Sequence, residues 1–263
     1  MEKTKISLLT ICASELIYVF CSKEAIVNQA DSSFTDQLIS RETKAEADHE
    51  TKTSFTTAVP GICNNITVEK PTAEAYPKVF NLDFGNTNST ENEITKNGKL
   101  KITLSGPLTT TGSQMKVERI DYAVNGIKLE GTIVYTNTTA DDTFPEWTGK
   151  VENAKLIDRN GKIYTKNGFH VVQQTEGFST TTLEDKVYEI TEGEYVVTSD
   201  TGGKLTLTIH EALVKKYSCA FISKGKLKIE GGFLNGIIDY GNNECDPKYT
   251  YTHEDGTLYT LGV

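Results

Sequence analysis

Apolar and polar side chains alternate along most of this chain. Leu100, Ile102 and Leu104 alternate with Lys99, Lys101 and Thr103, and Leu205, Leu207 and Ile209 with Lys204, Thr206 and Thr208. Leu227 and Ile229 alternate in the same way with Lys226, Lys228 and Glu230. A period of two puts one set of side chains on each face of an extended strand, the pattern of half-buried antiparallel sheet. Six Asn-Gly or Asp-Gly dipeptides stand beside such runs, at 97–98, 125–126, 160–161, 167–168, 235–236 and 255–256. They favour the positive φ angles of tight hairpin turns. With six prolines and no long amphipathic helix, the expectation is an all-β protein of antiparallel sheets and hairpins, a dozen or more strands long.

The pattern also divides the chain. Residues 1–21 begin with Lys3 and Lys5, continue through an apolar run from Ile6 to Phe20, and end at Cys21. That order reads as an export signal, and the run is too short for a transmembrane helix, which needs about twenty residues. Residues 22–60 are polar and charged, and between Asp36 and Glu50 only Leu38 and Ile39 are sizeable apolar residues. Such a stretch cannot bury a face, so a flexible tether is expected. Beyond it, Leu82-Asp83-Phe84-Gly85-Asn86 is echoed by Ile238-Asp239-Tyr240-Gly241-Asn242. The echo suggests two related β-units, 61–145 and 185–263, with 146–184 as a connecting segment.

Composition narrows the function classes. The net charge of −9 argues against nucleic acid, whose phosphates call for a basic surface. Of five cysteines, Cys12 and Cys21 lie in the leader, leaving Cys63, Cys219 and Cys245. In an oxidising compartment three cysteines form at most one pair. The pairing expected is Cys219 with Cys245, because both fall in the C-terminal unit; pairing of either with Cys63 stays open. No Cys-x-x-Cys spacing suggests zinc.

Catalytic signatures are missing: there is no Gly-x-Ser-x-Gly, no His-Glu-x-x-His, and His49, His170, His210 and His253 have no partner by motif. No catalytic residue and no cofactor are assigned, and the expectation is a protein that is not an enzyme. Asp239, Asn242, Glu244 and Asp246 bring oxygen ligands close together, which raises calcium as an alternative to a plain hydrophilic hairpin loop. Tyr249 and Tyr251 share one strand face, with Tyr259 beyond. They read either as a platform for sugar rings or as packing residues of the sheet.

Several short patterns, taken in order, resemble a group of uncharacterised surface lipoproteins of Bacteroidetes. They are Cys63, Tyr76-Pro77-Lys78 before Asp83-Phe84-Gly85, Asn125-Gly126 with Glu130-Gly131-Thr132, Ser218-Cys219 ahead of Gly225-Lys226, and Asp239-Tyr240-Gly241 closing on Cys245-Asp246. The resemblance implies export and a β-rich body, and brings no activity. Cys21-Ser22-Lys23-Glu24 resembles the charged tethers of such lipoproteins, although Phe20 stands where a small residue is usual and Tyr18 where leucine is. The expectation is therefore acylation at Cys21, or cleavage nearby, and a place on the cell envelope at the outer membrane or cell surface. The partners expected are the membrane through that anchor, and a glycan or protein. The function expected is a structural or adhesion module, with carbohydrate binding as the alternative.

Overall fold

In this computed structural model the described residues are 65–69, 76–85, 89–91, 94–140, 143–180, 184–219, 221–231 and 234–262. Residues 1–21 with Cys21, expected to be a leader, the expected tether 22–60 and Cys63 lie outside them. The described residues form β1 (Asn65–Glu69), β2 (Lys78–Asp83), β3 (Ser89–Glu91), β4 (Ile94–Leu104), β5 (Gln114–Val124), β6 (Ile127–Asn137) and β7 (Glu146–Ile157). They continue as β8 (Ile163–Glu176), β9 (Val187–Ser199), β10 (Lys204–Lys216), β11 (Lys224–Glu230), β12 (Gly236–Asn242), β13 (Lys248–His253) and β14 (Leu258–Gly262). The protein is all-β and antiparallel.

The 14 strands make one sheet in the order β1-β2-β4 and then consecutively to β14, with β3 paired to β4. β2 and β3 lie end to end along the same edge of β4, Asp83 opposite Lys99 and Ser89 opposite Lys96. The sheet runs without a break through 146–184. That stretch, read from sequence as a connecting segment, holds β7 and β8, which pair with each other over ten partnered positions and with β6 and β9 on either side. The two expected β-units are thus halves of one sheet. The Asp-aromatic-Gly echo recurs as the same local turn: Asp83 Oδ1 accepts from Gly85 N and Asp239 Oδ1 from Gly241 N, both at 2.9 Å. In each copy the aromatic residue, Phe84 or Tyr240, is buried.

One sheet this wide cannot cover its own apolar face if it stays flat. Eight successive strand pairs, from β4/β5 to β11/β12, each carry a register shift. A bulge bends its strand and sharpens the local twist, so a row of them creases the sheet. Glycines stand where the neighbouring strand presses in. A Cβ on Gly98 would meet the Asp121 carbonyl oxygen at 2.2 Å, and one on Gly168 the Glu194 carbonyl oxygen at 2.1 Å. Asn97-Gly98 and Asn167-Gly168, two of the expected hairpin turns, therefore lie inside β4 and β8 at the crease.

Inner faces on both sides of the crease share one core, from Phe80 and Leu82 on β2 to Tyr249 and Tyr251 on β13. Burying each aliphatic side chain there contributes about 1.5–3 kcal/mol. The opposite face carries Lys150, Glu152, Lys155, Lys224, Lys228 and Glu230, all exposed. Such a face suits water and not hydrocarbon.

Candidate functional site

The two ends of the sheet are built differently. At one end, Asn125 and Gly126 both have positive φ (49° and 77°) and close β5 to β6 in two residues. Three other hairpins at that end repeat one solution, a three-residue loop ending in a left-handed glycine: Gly161, Gly202 and Gly256. Their closing bonds match, Asp158 N to Lys162 O, Ser199 N to Gly203 O and His253 N to Thr257 O, at 2.8–3.0 Å. At the last of these, hydrogen bonds from Thr257 and His253 pull the Asp255 carboxyl down to about 2.

The other end carries the longer connections, 105–113, 138–145, 177–186, 217–223 and 243–247. Each is tied to the next. The Leu108 carbonyl accepts from Asn137 Nδ2 at 2.6 Å and from the Trp147 indole N–H at 3.2 Å, while the Thr111 hydroxyl donates to Thr139 O at 3.0 Å. Phe144 and Phe178 meet with ring centroids 5.8 Å apart, joining the second loop to the third. Tyr217 N donates to Lys186 O at 2.9 Å, joining the third to the fourth. Cys219 and Cys245 form a disulfide, Cα–Cα 5.1 Å, joining the fourth to the fifth. Around it Lys215, buried, donates to the Lys216 and Cys219 carbonyls, and Ser223 Oγ donates to Asn243 Oδ1 at 2.7 Å. Loops are the usual carriers of binding residues when a rigid scaffold positions them.

Phe144 and Phe178 are the notable side chains of this end, 50% and 56% exposed. Ile120, Ile163 and Leu258 are the other exposed large hydrophobics among the described residues. Single ones are ordinary on a protein surface, whereas a touching pair makes a patch. Glu146 follows Phe144-Pro145, and its carboxylate accepts from Thr138 Oγ1 at 2.9 Å and Gln173 Nε2 at 2.8 Å. Glu176 precedes Gly177-Phe178, and Glu184 and Asp185 close the same loop, all exposed. Against these four carboxylates stands Lys186, buried beside them, so the described charges of this stretch sum to a negative field.

A second cluster lies within the core. His170 Nδ1 and the Tyr195 hydroxyl are 2.5 Å apart, Tyr135 meets the His170 ring edge-on at 5.4 Å, and Lys166 Nζ sits 4.2 Å over the Tyr195 ring. Gly149 makes room, since a Cβ there would meet the Tyr135 ring at 2.5 Å and His170 Cε1 at 2.8 Å. Lys78 lies over Tyr76 and Lys96 over Phe84 in the same manner. Aromatic faces and the apolar lysine stems explain how these charges fit a core. All four central side chains are at most 2% exposed, so no solute reaches them in this conformation.

The residues singled out from sequence fall as follows. Among Asp239, Asn242, Glu244 and Asp246, Asp239 accepts from Gly241 N and stands 3.8 Å from Lys226 Nζ, and Asp246 accepts from Lys248 N at 2.8 Å. Each aspartate caps its own turn, and among the described residues no three His, Cys, Asp or Glu side chains gather in a way that would hold a metal ion. Tyr249 and Tyr251 are buried in the core, against Tyr240 and Tyr259 respectively, at 6.0 Å in both cases. They are packing residues, and no sugar platform is made of them. His210 is exposed on β10, and His253 is half-buried in the last hairpin. Phe144 and Phe178 were not singled out from the sequence. The signal available was a phenylalanine alone in each of two Thr-rich polar stretches, Thr138–Pro145 and Gly177–Thr182.

No protein-family model, no curated protein and no solved structure matches the chain. Among the described residues no helix is long and apolar enough to cross a membrane.

Proposed function

We propose that the chain is an exported, non-enzymatic module of the cell envelope, anchored through a lipid on Cys21, whose sheet presents the long-loop end for adhesion or structural contact. The carrying observation is that this end is tied together loop by loop and displays the touching pair Phe144–Phe178. Side chains held by such ties lose little conformational entropy on binding. The charge-then-apolar order of residues 3–20 ending at Cys21 supports export. So does the resemblance to Bacteroidetes surface lipoproteins. The carbohydrate alternative loses the tyrosine row that suggested it.

The anchor is tested by metabolic labelling with palmitate in a Gram-negative host of the Bacteroidetes type. Label that depends on Cys21, with antibody access on intact cells, is the expected result. A mature protein that retains Met1 and stays in the cytosol would falsify the proposal. The contact surface is tested separately by adhesion of cells carrying the chain, which is expected to fall when Phe144 and Phe178 are both replaced by alanine.

A further inference from the structure

We infer that the partner of the long-loop end is a basic polypeptide segment carrying an apolar anchor, which docks on Phe144 and Phe178 with its cations facing Glu146, Glu176, Glu184 and Asp185. This rests on the reading that the long-loop end is the contact surface, and adds to it the chemistry of what is bound.

Three observations select that partner. The two rings are half-exposed and in contact, so together they leave an aromatic area of about 200 Å², the size of one anchor side chain's footprint and not of an extended interface. Aromatic residues in such positions commonly carry a large share of binding energy. The second observation is sign. Among the described residues four carboxylates flank the pair within the loops and strand ends that carry it, against one lysine, Lys186, so the local charge is negative. An anionic lipid surface or acidic polymer would be repelled, whereas Lys or Arg next to an aliphatic anchor gains from both features. The third is rigidity. Glu146 is held by Thr138 and Gln173, and Trp147 behind it is tied to Leu108, so the Phe144 side of the patch is carried by a fixed strand end. A footprint of this size corresponds to a weak, salt-dependent complex.

The test uses the full chain and an alternating Lys-Leu peptide as probe, with a Glu-Leu peptide, a panel of neutral oligosaccharides, and anionic and zwitterionic lipid vesicles in parallel. The Lys-Leu peptide is expected to bind, to weaken as salt is raised, and to lose at least about tenfold in affinity with F144A/F178A. The charge variant E184K/D185K is expected to weaken it by several-fold, and I163S, at the tight-turn end, to leave it unchanged. Thermal unfolding of each variant is recorded, and because all these side chains are exposed the transitions are expected to stay within a few degrees of the parent. Lys-Leu binding indifferent to the two phenylalanines would overturn the inference, as would failure of the peptide to bind. Oligosaccharide or vesicle binding through the same pair, without peptide binding, would overturn the basic partner and leave the contact surface standing. Adhesion unaffected by F144A/F178A would remove the contact surface itself.

Discussion

The two ends of this sheet differ in how much of their order is local. At the tight-turn end three hairpins close by local chemistry, a three-residue loop ending in a glycine with positive φ and a backbone bond across it. Hydrogen bonds such as Arg159 to Asn125 O and Asp200 N to Ile163 O then join neighbouring turns. At the other end no loop is closed by its own turn chemistry alone. Leu108 is held by residues from the next hairpin, Lys186 by Tyr217, and Cys219 by Cys245. The lesson concerns cost and use. Local turns stabilise register cheaply and leave little surface to vary, whereas loops held by tertiary latches can carry side chains such as Phe144 and Phe178 at fixed positions.

The comparison predicts that single changes at the long-loop end are the more damaging. Trp147→Ala removes a side chain that is 4% exposed together with its bond to Leu108 O. Denaturant titration is expected to show a loss of about 3–5 kcal/mol; a loss below about 1 kcal/mol would mean that the latch is incidental. Next is the paired C219S/C245S variant, or reduction of the parent. With a sequence separation of 26 the crosslink is expected to contribute about 3 kcal/mol by the chain-entropy argument. Cys245 is exposed, so a mild reductant is expected to reach the bond without prior unfolding. At the tight-turn end, Gly126→Ala places a Cβ at φ 77° and 3.1 Å from Arg159 Nε. The expected loss is about 1–2 kcal/mol, the left-handed cost of one residue.

Titration sharpens the contrast further. Burial raises the Tyr240 and Tyr251 hydroxyls, the latter to about 12. Because the folded values exceed the unfolded one of about 10, their contribution is whole below pH ~10 and is lost as pH rises toward 12. Tyrosinate absorbance is expected to develop together with loss of the near-ultraviolet dichroism of the fold. The smallest effect belongs to Asp255 in the final hairpin. Its carboxyl is depressed to about 2, so its contribution is present above pH ~3.9 and disappears only as pH falls through 2. Carboxyl NMR that finds it titrating near its ordinary value would show the turn to be open in solution.

Much of the fold was legible along the chain because strand periodicity is a local signal. The runs around Leu100–Leu104, Leu205–Ile209 and Leu227–Ile229 are β4, β10 and β11. The Asp-aromatic-Gly motif was legible for the same reason, since its hydrogen bond spans two residues. Turn dipeptides were more ambiguous. Asn125-Gly126 is a hairpin turn with both residues left-handed, and Asn167-Gly168 a crease inside β8 with only the glycine at positive φ. What separates them is whether the next strand presses against the glycine. Exposure was less legible still. Tyr249 and Tyr251 were as compatible with a platform as with a core, and their burial follows from which way β13 meets β12.

By itself, then, the order of residues determined the quantities that depend on near neighbours: strand period, hairpin chemistry, and the polar and apolar faces of each strand. The tertiary structure alone decided that residues 146–184 join the two halves into one sheet and that the bulges align into a crease. It alone also brought Phe144 within reach of Phe178, 34 positions on. The physical reason is range. A turn or an alternating run is stabilised by interactions a few residues long, whereas the crease and the latched loops exist only where strands distant in sequence are already side by side.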